Sequence, residues 1–274
     1  MTKKIVTSGC FDNLSSKHIR FLFELSKYGN VDVLLFSDDL IKSLTGSISK
    51  LPLLERKYYL ESVRYVEKVH VIESVTQLQH ISEIIGNLAH KWYVHSSEEI
   101  KVCKEYSQSQ NIPLNCIKDE QIKGFSDNEE SSMIPSSFQK KVIVSGSFDW
   151  FHSGHVRFLE EASEYGELYV VVGNDKNIEL LKGLGHPKFP EAERKFIVNS
   201  IRFVKKTFIS TGSGWLDVEP EIQQLKPDIY IVNEDGDKDI KHEYCKKHGI
   251  EYIVLKRLPR EGLTRRTSTA LRGF

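Results

Sequence analysis

The sequence predicts two tandem α/β domains, each a doubly wound parallel sheet, and three observations predict it. The first is a repeat. Lys4-Ile5-Val6-Thr7-Ser8-Gly9-Cys10-Phe11-Asp12 returns as Lys141-Val142-Ile143-Val144-Ser145-Gly146-Ser147-Phe148-Asp149, and His18-Ile19-Arg20-Phe21-Leu22 returns at the same offset as His155-Val156-Arg157-Phe158-Leu159. The second is the alternation of short apolar runs with helix-period segments, the mark of strand–helix–strand units. The third is the polar, Ser-rich stretch 126–137, broken by Pro135, which reads as a linker between the copies. The copies are therefore placed at 1–135 and 140–274.

In the second copy Val142-Ile143-Val144 reads as a buried strand ending in a glycine turn. Residues 156–165 form a helix, with Val156, Leu159 and Ala162 on one face and Gly166 suited to its C-terminus. Leu168 to Val172 is a fully apolar strand, Glu191 to Val204 a second amphipathic helix, and Asp228–Val232 and Glu251–Leu255 are further strands. In such sheets ligands sit beyond the carboxyl ends of the strands. Those ends are Ser145-Gly146-Ser147, Gly173-Asn174-Asp175 and Asn233-Glu234-Asp235.

Composition narrows the function. The chain has 274 residues, and its 38 basic side chains balance 38 acidic ones. A neutral chain gives no support to nucleic-acid or membrane-surface binding, which need a basic excess. Cys10, Cys103, Cys116 and Cys245 form no C-x-x-C pair, and no apolar run is long enough to span a membrane. The expectation is a cytoplasmic protein with reduced thiols.

Gly146 allows close backbone approach to a phosphate, and His152 and His155 flank Gly154 at an expected helix start, where amides already favour an anion. An H-x-x-H pair alone also suits a metal, yet no third Cys, Asp or Glu ligand stands nearby, so no protein-held metal is expected. Phe148, Trp150 and Phe151 read as packing more than base stacking.

The run from Gly146 through Ser147, Phe148 and Asp149 to His152-Ser153-Gly154-His155 resembles the strand–loop–helix motif of the HxGH nucleotidyltransferases, whose domains are Rossmann-like. Glu193-Arg194-Lys195 through Arg202-Phe203-Val204 is similar to a cytidylyltransferase stretch. Arg260-Glu261-Gly262 with Thr267-Ser268-Thr269 is similar to that group's C-terminal signature. Leu263-Thr264-Arg265-Arg266 intervenes, which leaves the signature arginine open between Arg260, Arg265 and Arg266.

The resemblance implies transfer of CMP from CTP to a phosphorylated alcohol or sugar, with Mg²⁺ bound alongside the triphosphate. The alternatives are adenylyl transfer from ATP to a sugar phosphate, or a non-catalytic nucleotide-binding scaffold. It implies catalytic roles for His152, His155, Lys182 and Arg202. Nucleotide contacts would come from Gly146, Ser147, Phe148, Asp149, Arg194, Glu234, Arg260, Thr267, Ser268 and Thr269. Arg194 and Arg202 offer planar forks for phosphate oxygens, or structural ion pairs. In the first copy Ser15, Lys17 and Thr45 replace His152, Gly154 and Lys182, and Lys118 to Gly124 brings carboxylates. That copy reads as inactive, docked on the second as a pseudo-dimer, with a homodimer of chains left open.

Overall fold

The computed structural model describes residues 4–12, 14–80, 89–96, 101–109, 113–125 and 139–268. The Ser-rich linker, the C-terminal end assigned to the first copy, and Thr269 lie outside the described residues. The chain divides into two compact units, at Gly124.

The first unit runs β1 (Lys4–Gly9), α1 (Ser16–Ser26), β2 (Asn30–Phe36), α2 (Asp38–Thr45), α3 (Leu53–Ser62), β3 (Val66–Ile72), α4 (Val75–Gln79), β4 (Ala89–His95), α5 (Lys101–Ser109) and β5 (Leu114–Ile117). Its five strands are parallel, in the order β3-β2-β1-β4-β5. The second unit runs β6 (Lys141–Gly146), α6 (Ser153–Ser163), β7 (Glu167–Val172), α7 (Asp175–Lys182), α8 (Glu191–Asn199), β8 (Val204–Ile209), α9 (Glu219–Leu225), β9 (Ile229–Asn233), α10 (Asp239–His248) and β10 (Glu251–Leu255). Its order, β8-β7-β6-β9-β10, is the same winding, again all parallel. In each sheet the order reverses beside the first strand, so the carboxyl ends of β6 and β9 open a crevice.

The central strands are apolar because helices cover both faces. Val142, Ile143, Val144 and Leu168 to Val172 are all buried, as are Val156, Phe158, Leu159 and Ala162 on the inner face of α6. Each large apolar side chain so buried contributes about 1.5–3 kcal/mol. No helix among the described residues is long and apolar enough to cross a membrane.

Two local expectations need correction. Gly166 is not the C-cap of α6, which is Glu164. A Cβ on Gly166 would stand 2.1 Å from the Lys140 carbonyl, so the glycine serves a close approach of backbone to backbone. The helix expected over 191–204 ends at Asn199, and Val204 instead begins β8. Arg202 therefore sits, exposed, in the turn just before β8, at the amino ends of the strands and away from the carboxyl-end crevice.

Candidate functional site

β6 delivers its chain to Gly146, where a Cβ would meet the Phe148 ring at 3.1 Å. The loop then turns through Phe148, whose φ of 49° is left-handed, and α6 starts with His152 as its N-cap and His155 in its first turn. The backbone N–H of Gly154 donates to His152 Nδ1 at 3.0 Å, and that of His152 donates to His155 Nδ1 at 3.3 Å. Each Nδ1 is thereby an acceptor, so the proton of a neutral ring lies on Nε2.

Both rings are neutral near pH 7. Desolvation, with the charges of Arg257 and Arg266, pushes His152 down to about 3. Desolvation, then His152, Arg257 and Lys182, hold His155 well below the ordinary imidazole range. The rings lie with centroids 4.0 Å apart, tilted 33° to one another. The sequence thus builds two Nε2–H donors whose orientation is fixed by backbone. Gly154 is obligatory here, because a Cβ would stand 2.9 Å from the His152 ring.

His155 lines a cavity of about 330 Å³ together with Gly146, Ser147, Phe148, Lys182 and Arg257. His152 is buried behind it, and its Nε2 has no hydrogen-bond partner among the described residues. Lys182, the last residue of α7, donates from Nζ to Ser147 Oγ at 2.8 Å. Arg257 follows the carboxyl end of β10 and pairs with Asp235 at 2.7 Å. Trp215, Asp217 and Lys241 line the same cavity.

Several expected contact residues also brace the loop and the strand ends around it. The Asp149 carboxylate accepts the backbone N–H groups of Lys188 and Phe189 and so pins the loop before α8. Phe148 is buried, packed on the His155 ring at 5.5 Å. Arg194 is buried, and its guanidinium donates to the carbonyls of Phe189, Ser147 and Gly173 and to Asp175. Of its two expected readings, the fork for phosphate and the structural ion pair, this geometry matches the second. The guanidinium ties the ends of β6 and β7 together from below the cavity.

Ser268 donates to the Asp149 carbonyl at 3.0 Å, beside the histidine loop. Arg260 lies 3.6 Å from Glu160 and, with Arg265 and Arg266, borders a separate narrow crevice that also reaches Gly154 and Arg257. Glu234 lies 3.7 Å from Arg265, and neither it, Thr267 nor Arg202 is among the cavity-lining residues. Thr269 lies outside the described residues. Sequence reasoning passed over Arg257, Trp215, Asp217 and Lys241. For Arg257 a signal existed: Lys256-Arg257 directly follows a predicted strand at the edge where ligands collect.

At the matching place in the first unit, Ser15 caps α1, and its backbone N–H donates to His18 Nδ1 at 3.2 Å. Lys17 occupies the position of Gly154 and reaches Asp119, whose other oxygen lies 2.9 Å from His95 Nε2. Its hydrogen bond to Lys17 holds the Asp119 carboxyl below the usual range. Thr45 turns its hydroxyl onto the Ile41 carbonyl of its own helix. Arg56 nevertheless repeats the strut, donating to Leu51, Cys10, Phe36 and Asp38. The supporting frame is common to both units, while the donors at its mouth differ.

Residues 143–266 match the cytidylyltransferase-like family model. A FAD synthase of Ferroglobus placidus is 34% identical over 120 residues, 43% of this chain and 75% of the relative. A FAD synthase of Pyrococcus horikoshii is 37% identical over 124 residues, 43% of this chain and 80% of the relative. Among solved structures, a lipopolysaccharide core biosynthesis protein from Thermoplasma volcanium aligns at 25% identity with a TM-score of 0.37, covering 45% of this chain and 99% of that one. Through its second unit, the chain belongs to the cytidylyltransferase-like family of nucleotidyltransferases.

Proposed function

We propose that the second unit transfers a nucleotidyl group from a nucleoside triphosphate, ATP in the first instance, to a small phosphorylated acceptor. The observation that carries this reading is the pair of neutral, backbone-oriented imidazoles beside Lys182 and Arg257. An acceptor phosphate oxygen attacks the α-phosphorus in line. The bond to the α,β-bridging oxygen breaks, and pyrophosphate leaves with the electron pair. No protein nucleophile is required, so positioning and charge stabilisation carry the rate.

The Nε2–H groups donate to phosphate oxygens as charge builds, and Lys182 and Arg257 offset the charge of the departing pyrophosphate. The described residues contain no cluster of three or more His, Cys, Asp or Glu fit to hold a metal. Mg²⁺ would come with the triphosphate, with a carboxylate such as Asp235 beside it, and would neutralise phosphate charge. The choice of ATP rests on the FAD synthases, whose product contains an adenylyl group. CTP is the second reading, favoured by the stretches at 193–204 and 260–268 that are similar to cytidylyltransferases.

The test is pyrophosphate release by the full chain with Mg²⁺ and an acceptor panel, against ATP and CTP in parallel. ATP-dependent release is expected, with kcat/KM showing no imidazole limb between about pH 6 and 8, since neither ring protonates there in the free enzyme. The same depression makes stability present above the unfolded-state value near 6.5 and lost as pH falls from there toward about 3, because the unfolded chain then binds more protons. Release with CTP alone would sink the adenylyl reading. Release with neither nucleotide across the panel would sink the enzyme reading.

A further inference from the structure

Three positions differ together between the crevices of the two units. Gly154, Asn233 and Arg257 line the cavity of the second unit. Their counterparts in the first unit follow from the repeat offset and from strand register. Lys17 stands for Gly154. Val6 pairs with Trp92 as Ile143 pairs with Tyr230, so His95, three residues on, stands for Asn233. His95 pairs with Ile117 as Asn233 pairs with Leu255, so Asp119, two residues on, stands for Arg257.

Plain decay of a site would leave three such replacements unrelated, yet these three are joined. Lys17 Nζ donates to Asp119 Oδ2 at 2.5 Å. Asp119 Oδ1 lies 2.9 Å from Nε2 of His95, a side chain only 3% exposed. Where the second unit has an arginine facing a phosphate site, the first has a carboxylate. Where the second has a glycine at the helix start, the first has an ammonium that binds that carboxylate. The charges are reversed and paired with each other.

The rest of the segment is held down as well. The Lys118 N–H donates to Gln121 Oε1 across the turn Asp119–Gln121, and Ile122 is buried. Arg20 is three residues beyond Lys17 on α1, so the two share a helix face. Arg20 donates to the Gly124 carbonyl at 3.1 Å. In the second unit the segment in that place, from Lys256 to Arg266, lines a crevice instead.

We propose that residues 118–124 are a built-in plug of the first unit, in which Asp119 takes the place of a nucleotide phosphate and Lys17 and His95 hold it there. The crevice is closed by its own chain. A tethered carboxylate acts at an effective concentration that free phosphate has to exceed, so the unit is occupied before any ligand arrives. The plug belongs to the first unit alone and stands whether or not the second unit turns over.

The test is hydrogen exchange of the full chain, read on peptides covering residues 16–26 and 114–124, with inorganic pyrophosphate as the probe. Lys17 and Asp119 both reach the surface, so removing either should loosen the segment and leave the unit folded. In Asp119→Ala the amides of 114–124 should exchange about fivefold faster than in the parent. Pyrophosphate at roughly millimolar concentration should restore most of that protection, because Lys17 and His95 again face an anion. The same addition should leave these peptides of the parent unchanged. Lys17→Ala should loosen the same amides, and pyrophosphate should not restore them, either in that variant or in Lys17→Ala combined with Asp119→Ala. Unchanged exchange in both single variants would overturn the proposal. So would a pyrophosphate effect as large in the parent as in Asp119→Ala, restoration without Lys17, or an Asp119→Ala variant that loosens and is not restored.

Discussion

His155→Ala is expected to lower turnover by about 10²- to 10³-fold, the usual loss when one oriented donor to a developing charge is removed. The fold should survive, because the ring lines a cavity and α6 keeps its apolar face of Val156, Phe158, Leu159 and Ala162. His152→Ala should cost as much in rate and somewhat more in stability. It deletes an N-cap that accepts from Gly154 N–H, and losing such a cap costs about 1 kcal/mol. Steady-state pyrophosphate release beside a melting curve separates the two effects. A His155→Ala variant that retains the parental rate would remove the histidine pair from the chemistry.

Arg194→Ala is expected to have the largest effect on stability. Its guanidinium is buried and joins three backbone carbonyls and Asp175. Truncation leaves those acceptors without donors and opens a void between the ends of β6 and β7. Asp175 is 42% exposed, so its share is screened, and the loss is set at about 3 kcal/mol, mainly from the buried carbonyls. For a unit of this size that lowers Tm by roughly 6–12 °C. Arg194→Lys should recover little, because a single ammonium cannot span a fork of this geometry. A melting curve within about 2 °C of the parent would show that the strut is dispensable.

Much of this architecture was legible before the structure. The parallel, doubly wound class follows from apolar runs such as Leu168–Val172 alternating with helix-period segments, because burial on both faces leaves no polar alternation to mislead. The histidine loop was legible because its donors are consecutive in the chain, on one turn. What escaped reading depends on long-range assembly. Arg257, Trp215, Asp217 and Lys241 come from three separate segments and meet only when the sheet assembles.

Arg194 illustrates another limit. An arginine among phosphate-binding neighbours reads as an anion fork, and only burial shows its donors satisfied by backbone. Arg202 was misplaced because no glycine or proline marks the end of α8 at Asn199. The chain passes into β8 through the Ser200–Phe203 turn, which leaves the arginine at the amino ends of the strands, opposite the crevice. Lys17 could be read as a lost glycine, but its partner Asp119, which reaches across to His95, could not.

The central claim is that one chain holds one nucleotide, at the histidine pair of the second unit. Calorimetric titration of the full chain with ATP, and with CTP in parallel, tests it most directly. The account predicts one site per chain, weakened in His155→Ala and unchanged in His18→Ala. The first unit offers a carboxylate, Asp119, and a self-bonded Thr45 where the second offers Arg257 and Lys182. Two equivalent sites per chain, or loss of binding in a well-folded His18→Ala variant, would contradict it.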